Sequence, residues 1–97
     1  MLFTIHCTDK PGSRDLRLAT RGAHLAYLQD HAGCLVQAGP SLDLDGKPSG
    51  SLLLVNLAGR AEAEALAAGD PYAEAGLFES TVIRGYRSVF RDGALIE

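Results

Sequence analysis

His24 and Asp70 are the two side chains in this sequence best suited to moving a proton. An imidazole exchanges protons near neutral pH, and a carboxylate on one ring nitrogen fixes the tautomer and supports the imidazolium while the other nitrogen works. Spacing alone leaves the partner of His24 open, because Asp30, Asp43 and Asp45 compete with Asp70. Asp43 and Asp45 fall in a turn-rich stretch where water reaches carboxylates, and Asp30 faces water near a helix end. Asp70 is set apart by its surroundings, "LAAGDPYAEAGLFE" from Leu66 to Glu79. Gly69 stops an alanine-rich helix, Asp70 caps the next segment, and Pro71 takes the first position of a new helical turn, where its missing N–H costs nothing. Capping accounts for these residues by itself. The same geometry also holds a carboxylate rigidly at the lip of a cavity.

The other candidates carry weaker signals. Arg14, Arg17 and Arg21 recur at i, i+3 and i+7 on one helix face and can hold an anionic substrate group, although a solvated face explains the spacing equally well. Ser49, with Gly50 and Ser51, offers a hydroxyl and amides to a ligand, or forms a plain turn. His6 stands on the polar side of the first strand, where it faces either solvent or a cavity lined by a partner. His6, Cys7, His24, His31 and Cys34 have neither HxxxH nor CxxC spacing, so no metal site is expected. A nucleophile elbow and a phosphate-binding glycine loop are both missing.

Strands and helices must bring these residues together. Leu2 to Thr8 alternates, with Phe3, Ile5 and Cys7 on one side and Thr4, His6 and Thr8 on the other, which predicts a strand with one apolar face. After the break at Pro11 and Gly12, Ser13 is a plausible cap, and Leu18, Leu25, Leu28 and Ala32 recur at helical spacing from Asp15 to about Ala32. Gly33 ends that helix. "CLVQAGP" and "SLLLVNL" predict two strands joined as a hairpin through the turn signals between Ser41 and Gly50. The alanines and glutamates from Arg60 to Ala68 favour a second helix, and "STVIRGYRSVF" predicts a last strand with Val82, Tyr86 and Phe90 on one side. The order is βαββαβ, the ferredoxin-like α+β plait: an antiparallel four-stranded sheet with both helices on one face.

Ninety-seven residues with 46% apolar content describe one domain over 1–97 whose modest core favours association. Nine basic and twelve acidic residues, spread along the chain for a net charge of −3, offer no patch for nucleic acid. No apolar run is long enough to span a membrane, and the start lacks the order of a signal peptide, so the expected location is cytoplasmic. Cys7 and Cys34 are expected to be free buried thiols.

Several of these segments, in this order, are those of a known family. "MLFTIHCTDKPGSRDLR", "RGAHLAYL" with Arg21 and His24, "AGP" at Ala38 to Pro40, and "GDPYAEAGLFE" followed by "STVIRGYRSVF" resemble the YciI-like (YCII-related) proteins from the first strand to Phe90. The resemblance implies a ferredoxin-like protomer that pairs as a homodimer into a dimeric α+β barrel. It also implies a cleft with a His–Asp active site on His24 and Asp70, with Pro71 and Tyr72 setting the aspartate and one wall. Some relatives look like dehydrochlorinases or lactone isomerases. The expected function is cofactor-independent acid–base chemistry on a small organic substrate; the alternative is a dimeric small-ligand-binding or accessory module in which the pair is only structural.

Overall fold

The computed structural model describes residues 1–97. Its main elements are β1 (Leu2–Asp9), α1 (Arg14–Asp30), β2 (Leu35–Leu42), β3 (Pro48–Asn56), α2 (Arg60–Gly69), α3 (Pro71–Glu74) and β4 (Phe78–Tyr86). The four strands form one sheet in the order β2-β3-β1-β4, antiparallel throughout, as the ferredoxin-like plait requires. β1 is therefore central, pairing Ile5 with Leu53 on one side and Ile83 on the other.

Alternation along the strands decides which side carries the core. Phe3, Ile5 and Cys7 of β1 and Leu53 and Val55 of β3 are buried together with Ala63 and Leu66 of α2. The odd positions of β1 thus face the helices, while Thr4, His6 and Thr8 face the other way. That second face has no helix over it and leaves Leu52, Val82 and Tyr86 exposed. Gly50 is required where β3 meets β1, because a Cβ there would collide with the carbonyl of Cys7 and with the Ser41 hydroxyl. No helix is long and apolar enough to cross a membrane.

Three sequence expectations change. Half of the stretch from Ser41 to Gly50 is strand: β2 runs to Leu42, β3 starts at Pro48, and the turn is confined to 43–47. Asp43 makes this possible, since its Oδ1 accepts the N–H groups of Asp45 and Lys47 and closes the turn tightly. The last strand begins at Phe78 and leaves the sheet after Tyr86, so Phe90 does not continue the row of Val82 and Tyr86. Phe90 instead pairs with Leu95 in a small ribbon, β5 (Phe90–Arg91) and β6 (Ala94–Leu95), turned by Asp92 and Gly93 at positive φ. Cys7 is buried as expected, but Cys34 is only half-buried, because it lies beyond α1 where the S–H reaches out to the His31 carbonyl.

Candidate active site

His24 lies in the middle of α1, and Asp70 lies at the junction where α2 ends and α3 begins. Tyr27, one turn beyond His24, ties the two helices: its hydroxyl donates to the Leu66 carbonyl at 2.8 Å. A Cβ on Gly69 would meet that hydroxyl at 2.8 Å, so the smallest residue lets α1 approach the end of α2. Asp70 takes extended backbone geometry, and its Oδ1 accepts the Tyr72 N–H at 2.9 Å as an N-cap. The same carboxylate receives Nδ1 of His24, at 2.9 Å to Oδ1 and 3.0 Å to Oδ2. The cap and the histidine partner are therefore one side chain.

Both members of the pair are buried, with 10% of the His24 side chain and 5% of the Asp70 side chain exposed. Tyr72, at the start of α3, stacks its ring on the imidazole at 4.1 Å between centroids and 21° between planes. The Arg17 guanidinium sits 4.5 Å from the same tyrosine ring. Arg17 is buried too. Its Nε and Nη2 donate to Asp9 at 2.7 and 3.0 Å, and Nη2 also donates to the Ser51 hydroxyl at 2.9 Å. Burial opposes the Arg17 charge, but the hydrogen bonds and charge of Asp9 outweigh it and hold the guanidinium above its ordinary pKa. Burial pushes the Tyr72 phenol up against the pull of the Arg17 and Arg21 charges, so it stays a neutral hydrogen-bonding group.

A cavity of about 430 Å³ opens beside this network. Its helix wall presents Arg14, Arg17, Leu18, Arg21, His24, Leu25 and Leu28; the hairpin wall presents Ala38, Gly39, Pro40, Lys47, Pro48 and Ser51, with Tyr72 between. Nδ1 of His24 is committed to Asp70, so Nε2 is the ring nitrogen left for a bound molecule. With the Nδ1–H given to the carboxylate, Nε2 carries the lone pair.

The structure brings Arg14, Arg17, Arg21, His24 and Tyr72 to one cavity and sets Asp70 directly behind His24. Two expected substrate-binding residues lie elsewhere. Ser49 is one pleat period short of Ser51, roughly 7 Å along the strand, which carries it past the start of α1 into a separate polar groove with Asp9, Lys10 and Ser13. His6 projects from the opposite face of the sheet, since neighbours along β1 alternate and Ile5 and Cys7 take the core side. Arg17 lines the cavity, but two of its three guanidinium nitrogens are already occupied. Asp9, Tyr27 and Lys47 are the participants that sequence reasoning missed, while Ser51, named with Ser49, does line the cavity but gives its hydroxyl oxygen to Arg17. No group of three or more His, Cys, Asp or Glu side chains is placed to hold a metal ion.

The YCII-related domain model matches residues 1–87, the whole plait. The chain belongs to the YCII-related family. Protein YciI of Escherichia coli O6:H1 (strain CFT073) is 35% identical over 98 residues, covering 93% of this chain and all of the relative. An uncharacterized protein from Haemophilus influenzae is 33% identical over 98 residues, again covering 93% of this chain and all of the relative. Among solved structures, 5-chloro-2-hydroxyhydroquinone dehydrochlorinase (TftG) from Burkholderia phenoliruptrix AC1100, in complex with 2,5-dihydroxybenzoquinone, superposes with a TM-score of 0.85 at 33% identity. That match covers 90% of this YCII-related chain and 94% of TftG.

Proposed function

We propose that this protein is a small enzyme using His24 and Asp70 for acid–base chemistry on a compact, carbonyl-bearing or aromatic-derived substrate. The observation that carries the proposal is the state of one ring: His24 is pinned at Nδ1 by Asp70, stacked on Tyr72, and free at Nε2 beside a cavity. Nε2 takes a proton from an acidic C–H or O–H of the substrate. The electron pair left behind either collects a proton at another atom, which is an isomerisation, or expels a leaving anion such as chloride, which is an elimination. In the isomerisation the imidazolium supplies that proton, and in the elimination it releases its proton to water, so the ring is neutral again after either. The likeness to a dehydrochlorinase at 33% identity supports this class of reaction.

The protein works as a cytoplasmic homodimer in this account. A second copy laid over Leu52, Val82 and Tyr86 covers the open sheet face and makes a dimeric α+β barrel. Ala38, Gly39 and Pro40 line both the cavity and the groove on that open face, so dimer formation bears directly on one cavity wall.

The test is turnover of a panel of chlorinated hydroxyquinols and unsaturated lactones, followed by chloride release and product absorbance. Wild-type protein turns over at least one member, and His24→Ala loses about a thousandfold or more in rate while keeping its fold and dimer. Equal rates for the two proteins on every member would remove His24 from the chemistry. The alternative, a dimeric ligand-binding or accessory module, is favoured by the Asp70 cap on Tyr72, which serves the fold whether or not a proton moves. Ligand binding without conversion by wild-type protein would select it.

A further inference from the structure

Four cations line the cavity and no carboxylate does, in a chain whose net charge is −3. Two of the four are already answered. Arg17 is bound by Asp9 and Ser51 behind the wall, and Arg14 reaches Asp43 at 3.7 Å. Arg21 and Lys47 have no carboxylate oxygen within 4.0 Å, and Lys47 feels the Asp43 charge only from farther off. Arg21 lies three residues before His24, hence on the same helix face, and Lys47 comes from the hairpin turn on the facing wall. The turn fixes the base of that lysine. Its N–H donates to Asp43 Oδ1 at 3.0 Å, and its carbonyl accepts the Asp43 N–H at 2.8 Å. Beside the cations the lining is largely apolar, with Leu18, Leu25 and Leu28 on the helix wall and Pro40 and Pro48 on the hairpin wall.

We infer that the cavity selects an organic anion with a compact apolar or aromatic body, its carboxylate or enolate-type oxygens held between Arg21 and Lys47. In that position the body lies against the leucines and prolines, and a proton on it comes within reach of His24; this last clause rests on the acid–base role proposed above. Like-signed charge on low-dielectric walls concentrates an oppositely charged ligand. Arginine supplies a planar fork for two oxygens, while lysine supplies a mobile point charge that follows a substrate whose shape changes. Removing a proton from an anion adds negative charge, and the same two cations stabilise it as it develops.

The test is calorimetric titration with 2,5-dihydroxybenzoate and with its neutral counterpart 2,5-dihydroxybenzamide, on wild type, Arg21→Met, Lys47→Met and His24→Gln. The anion binds wild type at least about tenfold tighter than the amide, and each methionine variant weakens the anion by several-fold to about tenfold while leaving the amide within twofold. His24→Gln keeps the preference for the anion, so a failure of the acid–base proposal and a failure of this one give different results. Equal affinity for the two ligands, no measurable binding of the anion at millimolar concentration, or methionine variants that bind the anion like wild type would each overturn the inference.

Discussion

The two walls of the cavity are built on opposite principles. Behind the helix wall, Arg17, His24, Asp70 and Tyr72, with Asp9 of β1 and Ser51 of β3, form a chain of buried side chains linked through hydrogen bonds, a ring stack and a cation over a ring. No buried side-chain nitrogen or oxygen in the molecule lacks a partner. On the hairpin side, Ala38, Gly39, Pro40, Lys47 and Pro48 are exposed, and Lys47 is held only through its backbone. A saturated network gives each member one position and one tautomer. A wall of exposed residues with a free cation adapts to what enters. Positioning for chemistry thus belongs to the packed wall, while the cations free to meet a charged ligand, Arg21 of α1 and Lys47 of the hairpin turn, stand on the exposed parts of both walls.

The sharpest way to break this contrast is to cut the packed wall at Arg17. Arg17→Met leaves the Asp9 carboxylate, 8% exposed, without its partner, and the expected loss is about 3–5 kcal/mol of unfolding free energy. Urea denaturation measures it. A midpoint unchanged from wild type would mean that water replaces the guanidinium and that the wall is not saturated. Tyr27→Phe is a milder cut, removing one half-buried hydrogen bond to the Leu66 carbonyl for about 1 kcal/mol. Because that bond sets how closely α1 approaches the end of α2, amide shifts at Asp70 and Tyr72 should change as well, and shifts confined to position 27 would separate Tyr27 from the site.

The smallest effect belongs to the open wall. The N–H groups of Lys47 and Asp45, with the charges of Arg14 and Lys47, hold the Asp43 carboxyl below its ordinary range. A carboxyl with a lowered folded pKa stabilises the turn fully above the ordinary carboxylate range and loses that contribution as pH falls through the folded value. The protection of the Lys47 amide, its intrinsic exchange rate at each pH divided by the observed rate, should therefore fall in acid before that of the core strands does. Simultaneous loss of protection in turn and core would show that the two walls are not independent.

The divide between the walls also explains how much was legible in the sequence. Strand alternation in Leu2 to Thr8 and helical spacing after Ser13 are local signals, and β1, α1, the hairpin and α2 obey them closely. The cap at Asp70 was legible from a local signature, Gly-Asp-Pro, whereas its bond to His24 spans 46 residues and was expected from the plait topology and the family resemblance. Asp9 was not legible, nor was the bond from Arg17 to Ser51, since both depend on Arg17 crossing from α1 to the sheet, and spacing says nothing of such a meeting. Lys47 was passed over as a turn residue. An Asp-Gly-Lys turn looks alike in sequence whether the lysine points into solvent or over a cavity. Phe90 misled for a related reason: its spacing from Val82 and Tyr86 continues a strand pattern, while the Asp92-Gly93 turn folds it back onto Leu95.

The most direct measurement is the tautomer of His24, read from the 15N shifts of its ring nitrogens near neutral pH in wild type and in Asp70→Asn. The neutral ring of the wild type should carry its proton on Nδ1 and leave Nε2 bare, and the asparagine variant, whose side chain can donate as well as accept, should lose this single tautomer. A wild-type ring protonated on Nε2, or identical ring shifts in the two proteins, would contradict the acid–base role, because Asp70 would then not be holding the nitrogen that makes its neighbour a base.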